Sequence, residues 1–398
     1  MSCTNTHRAL QQFRVRIPPV FVLLISFLLA PRLDAQTVLA EHWVTYLPQG
    51  FVLTQLSGQG IAGAVESSLA NLPAANPALM AEYTTLSAGA SLQAETTIKP
   101  GWIADIGYRR PPKRLIQSAG VVPPSKQLRI GLGYFQKYSA EMLYDSVRTT
   151  ALSDSGYISL YVQPHGHAAI DAWTLSGSFL AHGLLTPGDQ MSVGLSIQYN
   201  CLEYFQSVDG WGEIYDEDAG QITFAAGWMY ASPKNLDCRV KLGIHYEQGV
   251  DIQGTGAYSD PEEGDGKFAL TGRTPSRLYT GIRIELGQRL SLTTGNNWVA
   301  WKEVRDEVID QHEYTLSLAL QWSSSLITTL GLFSTDMRHS IGPFFSPSDD
   351  VFQATYLIFG LSKQLGPLSL DAVIADSHRN SGALIERTIL KLGLGVHL

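Results

Sequence analysis

The sequence predicts an all-β protein built as a fourteen-stranded antiparallel transmembrane β-barrel. Three observations carry this. Apolar residues recur at period two in one segment after another, which marks sheets with unlike faces. The second face of those segments holds Gly, Ser, Thr, Gln and Asn instead of the Lys and Glu of an open aqueous surface, which suits a barrel lumen. Connections between the segments alternate between tight turns and longer polar loops, the pattern of outer-membrane barrels.

Composition agrees. Over 398 residues, charged side chains make up 16%, against about 25% in soluble domains. Mean hydropathy is nevertheless +0.00, as expected where apolar and polar faces cancel. The 37 glycines and 17 tyrosines fit the same class. Lys+Arg of 28 against Asp+Glu of 36 gives a net charge of −8, so no basic field is available for nucleic acid.

The chain begins with the parts of an export signal. Arg8, Arg14 and Arg16 precede an apolar core, Val20–Ala30, that falls short of the ~20 residues needed to span a bilayer as a helix. Cleavage after Ala35 makes 1–35 the signal peptide; Ala40 is the other candidate. Cys3 precedes the apolar core and is no lipid-anchor cysteine.

Next comes a stretch of small residues with almost no charge. It holds Gly58, Gly60, Gly63, Ala64 and Glu66, and closes on Asn76-Pro77-Ala78-Leu79. Small side chains allow close backbone packing, and the residue before proline is pushed out of the helical region. The plainer alternative is a turn with one amphipathic helix.

Strands are then expected at 82–93, 98–110, 126–139, 169–182, 189–203, 220–232, 237–248, 276–287, 289–303, 311–322, 326–337, 351–363, 367–377 and 386–398. The last is the clearest: Leu390, Leu392, Leu394, Val396 and Leu398 alternate with Lys391, Gly393, Gly395 and His397. Met191, Val193, Leu195, Ile197 and Tyr199 oppose Ser192, Gly194, Ser196, Gln198 and Asn200. Aromatics near strand ends, among them Tyr199, Tyr246, Trp298, Tyr314 and Trp322, fit interfacial girdles. Two places are irregular. Residues 111–125, with Pro111-Pro112 and Pro123-Pro124, are long for a turn on the short side. The excursion 140–168 contains Tyr157–Val162, which reads as a further strand or an extracellular flap.

The stretch Gly58, Gly60, Gly63, Ala64, Glu66, Asn76, Pro77, Ala78 and Leu79 resembles the N-terminal signature of the FadL-type outer-membrane transporters of long-chain fatty acids and other hydrophobic compounds (the OmpP1/TodX-like group). Looser matches continue at Gly131–Tyr134, Pro275–Ile282 and Asn297–Trp301. The resemblance implies that 36–80 form a hatch folded into the lumen and that 81–398 form the barrel. It also implies a cargo that is a hydrophobic, fatty-acid-like small molecule. Capture would occur in an apolar extracellular groove, followed by a lumen pocket touching the hatch and exit through a kink in the third strand, 126–139. Gly131 and Gly133 are the candidate kink, and Arg129 and Lys137 the candidate contacts to a ligand carboxylate. The other partners expected are outer-membrane lipid and lipopolysaccharide, with the protein a monomer and no cofactor.

A fourteen-stranded barrel leaves free volume in its lumen, and the segment just before the first strand is the nearest filler. Glu66 would then pair with a basic residue on a polar strand face, Arg283 or Lys391.

No catalytic motif is present, neither Gly-x-Ser-x-Gly, nor His-Glu-x-x-His, nor a phosphate loop, and the reading is not an enzyme. His165 and His167 share a strand face, but in a Pro/Gly setting they read as exposed residues, so no metal site is assigned. The acidic stretches 209–218 and 260–265 lack the spacing of a calcium loop. Cys201 and Cys238 fall at opposite strand ends, about 25 Å apart by barrel height, beyond the ~7 Å reach of a disulfide. The alternative function is a fourteen-stranded barrel that docks a protein partner of a secretion or surface-attachment system.

Overall fold

The structure is a computed structural model that describes residues 63–95, 108–109, 114–144, 147–153, 156–162, 164–208, 212–218, 220–234, 238–260, 264–303, 310–337, 352–378 and 388–398. The expected signal 1–35, the first part of the expected hatch, and Gly58 and Gly60 lie outside the described residues.

Fourteen strands close the barrel. They are β1 (Ser87–Glu95), β2 (Arg114–Val122), β3 (Leu128–Tyr144), β4 (Pro164–His182), β5 (Gln190–Val208), β6 (Gly220–Ala231) and β7 (Cys238–Glu247), then β8 (Arg277–Leu286), β9 (Leu290–Val299), β10 (Gln311–Ser323), β11 (Leu326–Met337), β12 (Phe352–Leu365), β13 (Leu368–Asp376) and β14 (Thr388–His397). Each pairs antiparallel with the next, and β14 returns to β1 over Ser87↔His397 to Glu95↔Ile389. Closure removes every free edge, which a strand in hydrocarbon requires.

The side-chain distribution is that of a membrane barrel. Along β5, Leu195 is 68% exposed while Gln198 on the other face is 1% exposed. Leu390, Leu392 and Leu394 likewise face out and Lys391 in. An apolar outer wall around a polar interior is stable only against lipid. Trp298 and Tyr314 stand outward near the long-loop rim and Trp322 near the other, as girdle residues do.

Short connections gather at one rim: 123–127, 183–189, 232–237, 287–289, 324–325 and 366–367. In the turn 183–189, the Asp189 carboxylate accepts from the amides of Leu184 (3.0 Å), Leu185 (2.9 Å) and Thr186 (2.8 Å). Burial raises its pKa, but these amides and that of Gly183 outweigh it and hold the carboxyl below the usual carboxylate range. At the opposite rim, chain between barrel strands forms more sheet. Val147–Ser153 pairs with Gly156–Val162 as a hairpin, and Asp251–Asp260 pairs with Gly264–Arg273. Gly212–Asp218 joins that second hairpin to the end of β5.

One strand differs in place from the sequence expectation. The second barrel strand is 114–122, not 98–110; residues 98–107 lie outside the described residues, and Tyr108–Arg109 only bridge to the far end of β3. The prolines at 111–112 and 123–124 therefore bracket a strand instead of filling a turn, and the over-long turn disappears. The alternation was unreadable because it is inverted. Val121 and Ala119 point inward, while Ser118 and Gly120 point outward.

Candidate lumen site and wall gap

Residues Gly63–Glu82 line the inside of the barrel wall at the level of its lower half. They include two short 3₁₀ segments, Leu69–Ala74 and Pro77–Glu82. Asn76 ties the segment together. Its Nδ2 donates to the Ala64 carbonyl (2.8 Å) and to that of Trp228 on β6 (3.0 Å), and its Oδ1 accepts from the Ala78 amide (2.9 Å). Proline at 77 supplies the fixed φ of a first helical position, so the Asn-Pro pair both caps the turn and anchors it. The wall makes room for it. A methyl group on Gly227 would collide with Asn76, one on Gly194 with Pro77 and Ala78, and one on Gly243 with Ala64. Leu69, Leu72, Leu79 and Met80 pack with Ala119 and Val121 of β2 and Met229 of β6, which explains the inverted pattern of β2.

Two ion pairs flank this packing. Arg283 on β8 pairs with Glu66, which also accepts from Thr293 (3.3 Å); Lys241 on β7 pairs with Glu82. Of the two cations expected for Glu66, the structure brings Arg283. Lys391 instead donates to Gln117 on β2. Arg129 sits at the short-turn rim, where its guanidinium donates to the carbonyls of Tyr83, Ser125 (2.7 Å) and Leu128 (2.9 Å). It thus fastens the passage from Glu82 into β1 to the start of β3.

Above Gly63–Glu82, toward the long-loop rim, a polar layer crosses the lumen. Lys137 of β3 reaches Glu247 on β7 (3.1 Å), the Gln198 amide oxygen on β5 (3.2 Å) and the Gln248 carbonyl (3.1 Å). Asn200 donates to Thr223 (2.8 Å) beside it. Arg277 donates to the Tyr279 hydroxyl (2.9 Å), and Tyr279 stacks on His245 at 5.1 Å. Glu313 is held by Asn297 and by Gln311 (3.0 Å). The inner faces of β12 to β14 supply Tyr356, Ile358, Val373, Ala375 and Ile389 instead. The lumen wall is thus polar on one side and apolar on the other. The sequence reading of the strand 237–248 assigned no role to His245 or Glu247. The available signal was that charge is sparse on these faces, so each inward ionisable residue needs a partner or a purpose.

Among the described residues, the wall is incomplete at one point. Ladder β4–β5 runs from Pro164↔Val208 to His182↔Gln190 without a break. Among the described residues, ladder β2–β3 covers only Ser118↔Tyr134 to Val122↔Ile130. Above it, Arg114–Gln117 remain paired with β1 while β3 departs. Gly131 and Gly133 stand in unbroken register, and Met80 and Pro73 lie against them. The irregularity in β3 falls at Lys137, an extra residue between Gln136↔Asp171 and Tyr138↔Ile170. A bulge bends its strand and re-aims one side chain. Here the extra residue is the inward Lys137, and β3 parts from β2 at this level. Below this gap, on the outer face of the paired part of β2 and β3, lies an apolar groove of about 780 Å³, floored by Ala88, Ala90, Ser118 and Gly120 and walled by Leu132 and Trp173.

Cys201 and Cys238 are free thiols. His165 and His167 lie on the backbone of β4, with side chains outside the described residues.

No protein-family model and no curated protein matches the chain. Solved structures do. The toluene transporter TbuX of Ralstonia pickettii is 12% identical with a TM-score of 0.62, the match covering 86% of this chain and 97% of that one. The toluene transporter TodX of P. putida gives 12% identity and a TM-score of 0.60, covering 86% and 97%. A Pseudomonas aeruginosa FadL homologue gives 11% and 0.58, covering 92% and 100%. At these identities the likeness is one of fold.

Proposed function

We propose that this barrel, which shares the fold of the FadL-type transporters, carries hydrophobic molecules across a bacterial outer membrane. Residues 1–35 direct export, 36–80 act as the hatch and 81–398 form the wall, with the short-turn rim in the periplasm. Cargo enters from the long-loop side, reaches the two-faced lumen above the hatch, and leaves sideways between β2 and β3 into the bilayer. Gly63, Glu66, Asn76, Pro77 and Ala78 serve as hatch anchors in this reading, together with Gly58 and Gly60. Lys137 serves by bending β3 more than by reading a carboxylate, since Glu247 already holds its charge. Arg129 serves as a rim fastener. The protein acts as a monomer bathed in lipid and lipopolysaccharide, and performs no chemistry on its cargo.

The observation that carries this is the gap between β2 and β3 among the described residues, with an apolar groove floored by small residues on the outer wall next to it. A segment packed across the lumen leaves no straight aqueous path, so an apolar cargo gains by leaving toward lipid. The test is deletion of Lys137. Because the bulge residue is the extra one, its removal keeps the pairing on both sides and straightens β3. In cells whose lipopolysaccharide layer is the barrier, uptake of radiolabelled toluene or a long-chain alkanoate should rise with the intact protein and fall back with the deletion variant. Equal uptake by both would remove the lateral route, and no uptake above cells lacking the protein would remove transport. The second reading, a protein dock, draws on the sheet of 212–218, 251–260 and 264–273 at the long-loop rim. Uptake unchanged after trimming 252–272 would set it apart from transport.

A further inference from the structure

We infer that His245 is the specificity-determining residue of the lumen site, and that the site takes an apolar molecule bearing a neutral hydroxyl group, an alcohol or a phenol. This rests on the transport reading above. His245 faces inward on β7, one inward position above Gly243, against which Ala64 lies. The imidazole is 1% exposed, and neither Nδ1 nor Nε2 has a hydrogen-bond partner. Its ring stacks on that of Tyr279 at 5.1 Å. Buried polar groups are ordinarily paired in folded proteins, and a ring whose donor and acceptor are both left open marks a place where a partner belongs.

The surrounding charge says which partner. Lys137 is neutralised by Glu247 at 3.1 Å. Arg277 is held by the Tyr279 hydroxyl and lies within reach of the charges of Glu247 and Glu313. Two cations and two carboxylates cancel, so the layer offers no net field for an anion. A neutral imidazole presents one N–H and one lone pair, and a hydroxyl presents the complement of both. The apolar body of such a molecule is that of the cargo in the transport reading. A site that hydrogen-bonds a hydroxyl discriminates against the analogue lacking it, because its polar atoms are then left unpaired.

The test uses three probes of one shape: 4-butylphenol, 4-butyltoluene and 4-butylbenzoate. Binding to the mature protein in nanodiscs is measured by equilibrium dialysis, with empty nanodiscs subtracted for lipid partitioning. The wild type should hold the phenol about tenfold more tightly than the toluene, a single well-made hydrogen bond's worth. His245→Phe keeps the ring and the stacking and should bring the ratio to about one by weakening the phenol alone. His245→Gln, which restores a donor and an acceptor, should recover part of the preference. Folding of each variant is checked by heat-modifiable gel migration. Equal binding of phenol and toluene by the wild type would overturn the inference and leave the transport reading standing. Tightest binding of the benzoate, lost in His245→Phe, would replace the hydroxyl by an anion. An equal loss of all three probes in both variants would make His245 structural. If no probe binds above the empty-nanodisc blank, the lumen pocket of the transport reading fails as well.

Discussion

At the scale of single residues, the Glu66–Arg283 pair is the contact whose loss is most readable. Glu66 is 3% exposed and Arg283 14% exposed, so removing one partner strands a buried charge, an effect on the order of 3–5 kcal/mol on seating the segment. Arg283→Met should therefore raise ion conductance in planar bilayers. Replacing both, Glu66→Leu with Arg283→Met, should bring conductance back toward wild type, because no charge is then left alone. A double variant leakier than the single one would show that the pair does not seat the segment. Asp189 gives a pH signature of defined sign. Its folded pKa lies below the unfolded value of about 3.9, so its contribution is present above that value and disappears as pH falls through the folded pKa. Asp189→Asn should lower the urea midpoint at neutral pH, and the gap to wild type should close in strong acid. A gap independent of pH would deny the carboxylate its role in the turn.

At the scale of elements, the barrel is glycine-lined where the inner segment docks. A Cβ on Gly227 would strike Asn76 and Pro77, whereas one on Gly177 would meet only the Arg129 carbonyl at 4.0 Å. Gly227→Ala should expose 63–82 to limited proteolysis in detergent, with Gly177→Ala as the silent control. Similar cleavage of both variants would mean that Gly227 is not part of the seat. Most of the fourteen strands were readable because their outer faces are Leu, Ile and aromatic. The second, β2, was not, and the reason is physical. Its outward Ser118 and Gly120 floor a groove, and its inward Val121 and Ala119 pack on Leu69 and Met80, so its pattern runs against that of its neighbours. The short turns and long loops were legible for the opposite reason: turn chemistry is local.

At the scale of the whole molecule, the question is whether the lumen is sealed by the chain's own N-terminal part. Deleting 41–75 should leave a closed barrel, since all fourteen ladders lie C-terminal to the cut. It should turn a poorly conducting protein into an ion channel in planar bilayers, with heat-modifiable migration retained. Equal, large conductance before and after deletion would place the segment outside the lumen and turn preference toward the protein-docking reading.

The amino-acid sequence by itself determined that the chain forms a barrel and which faces meet lipid. These follow from period, composition and local turn chemistry, all of which are written in consecutive residues. Only the tertiary structure decided that Arg283 and not Lys391 meets Glu66, that β3 bulges at Lys137 and leaves β2, and that His245 lies beside a self-neutralised ring of charge. Those depend on which strands stand opposite one another across the lumen. Residues 137 and 247 are brought within 3.1 Å by a closed wall, and no spacing along the chain encodes that distance.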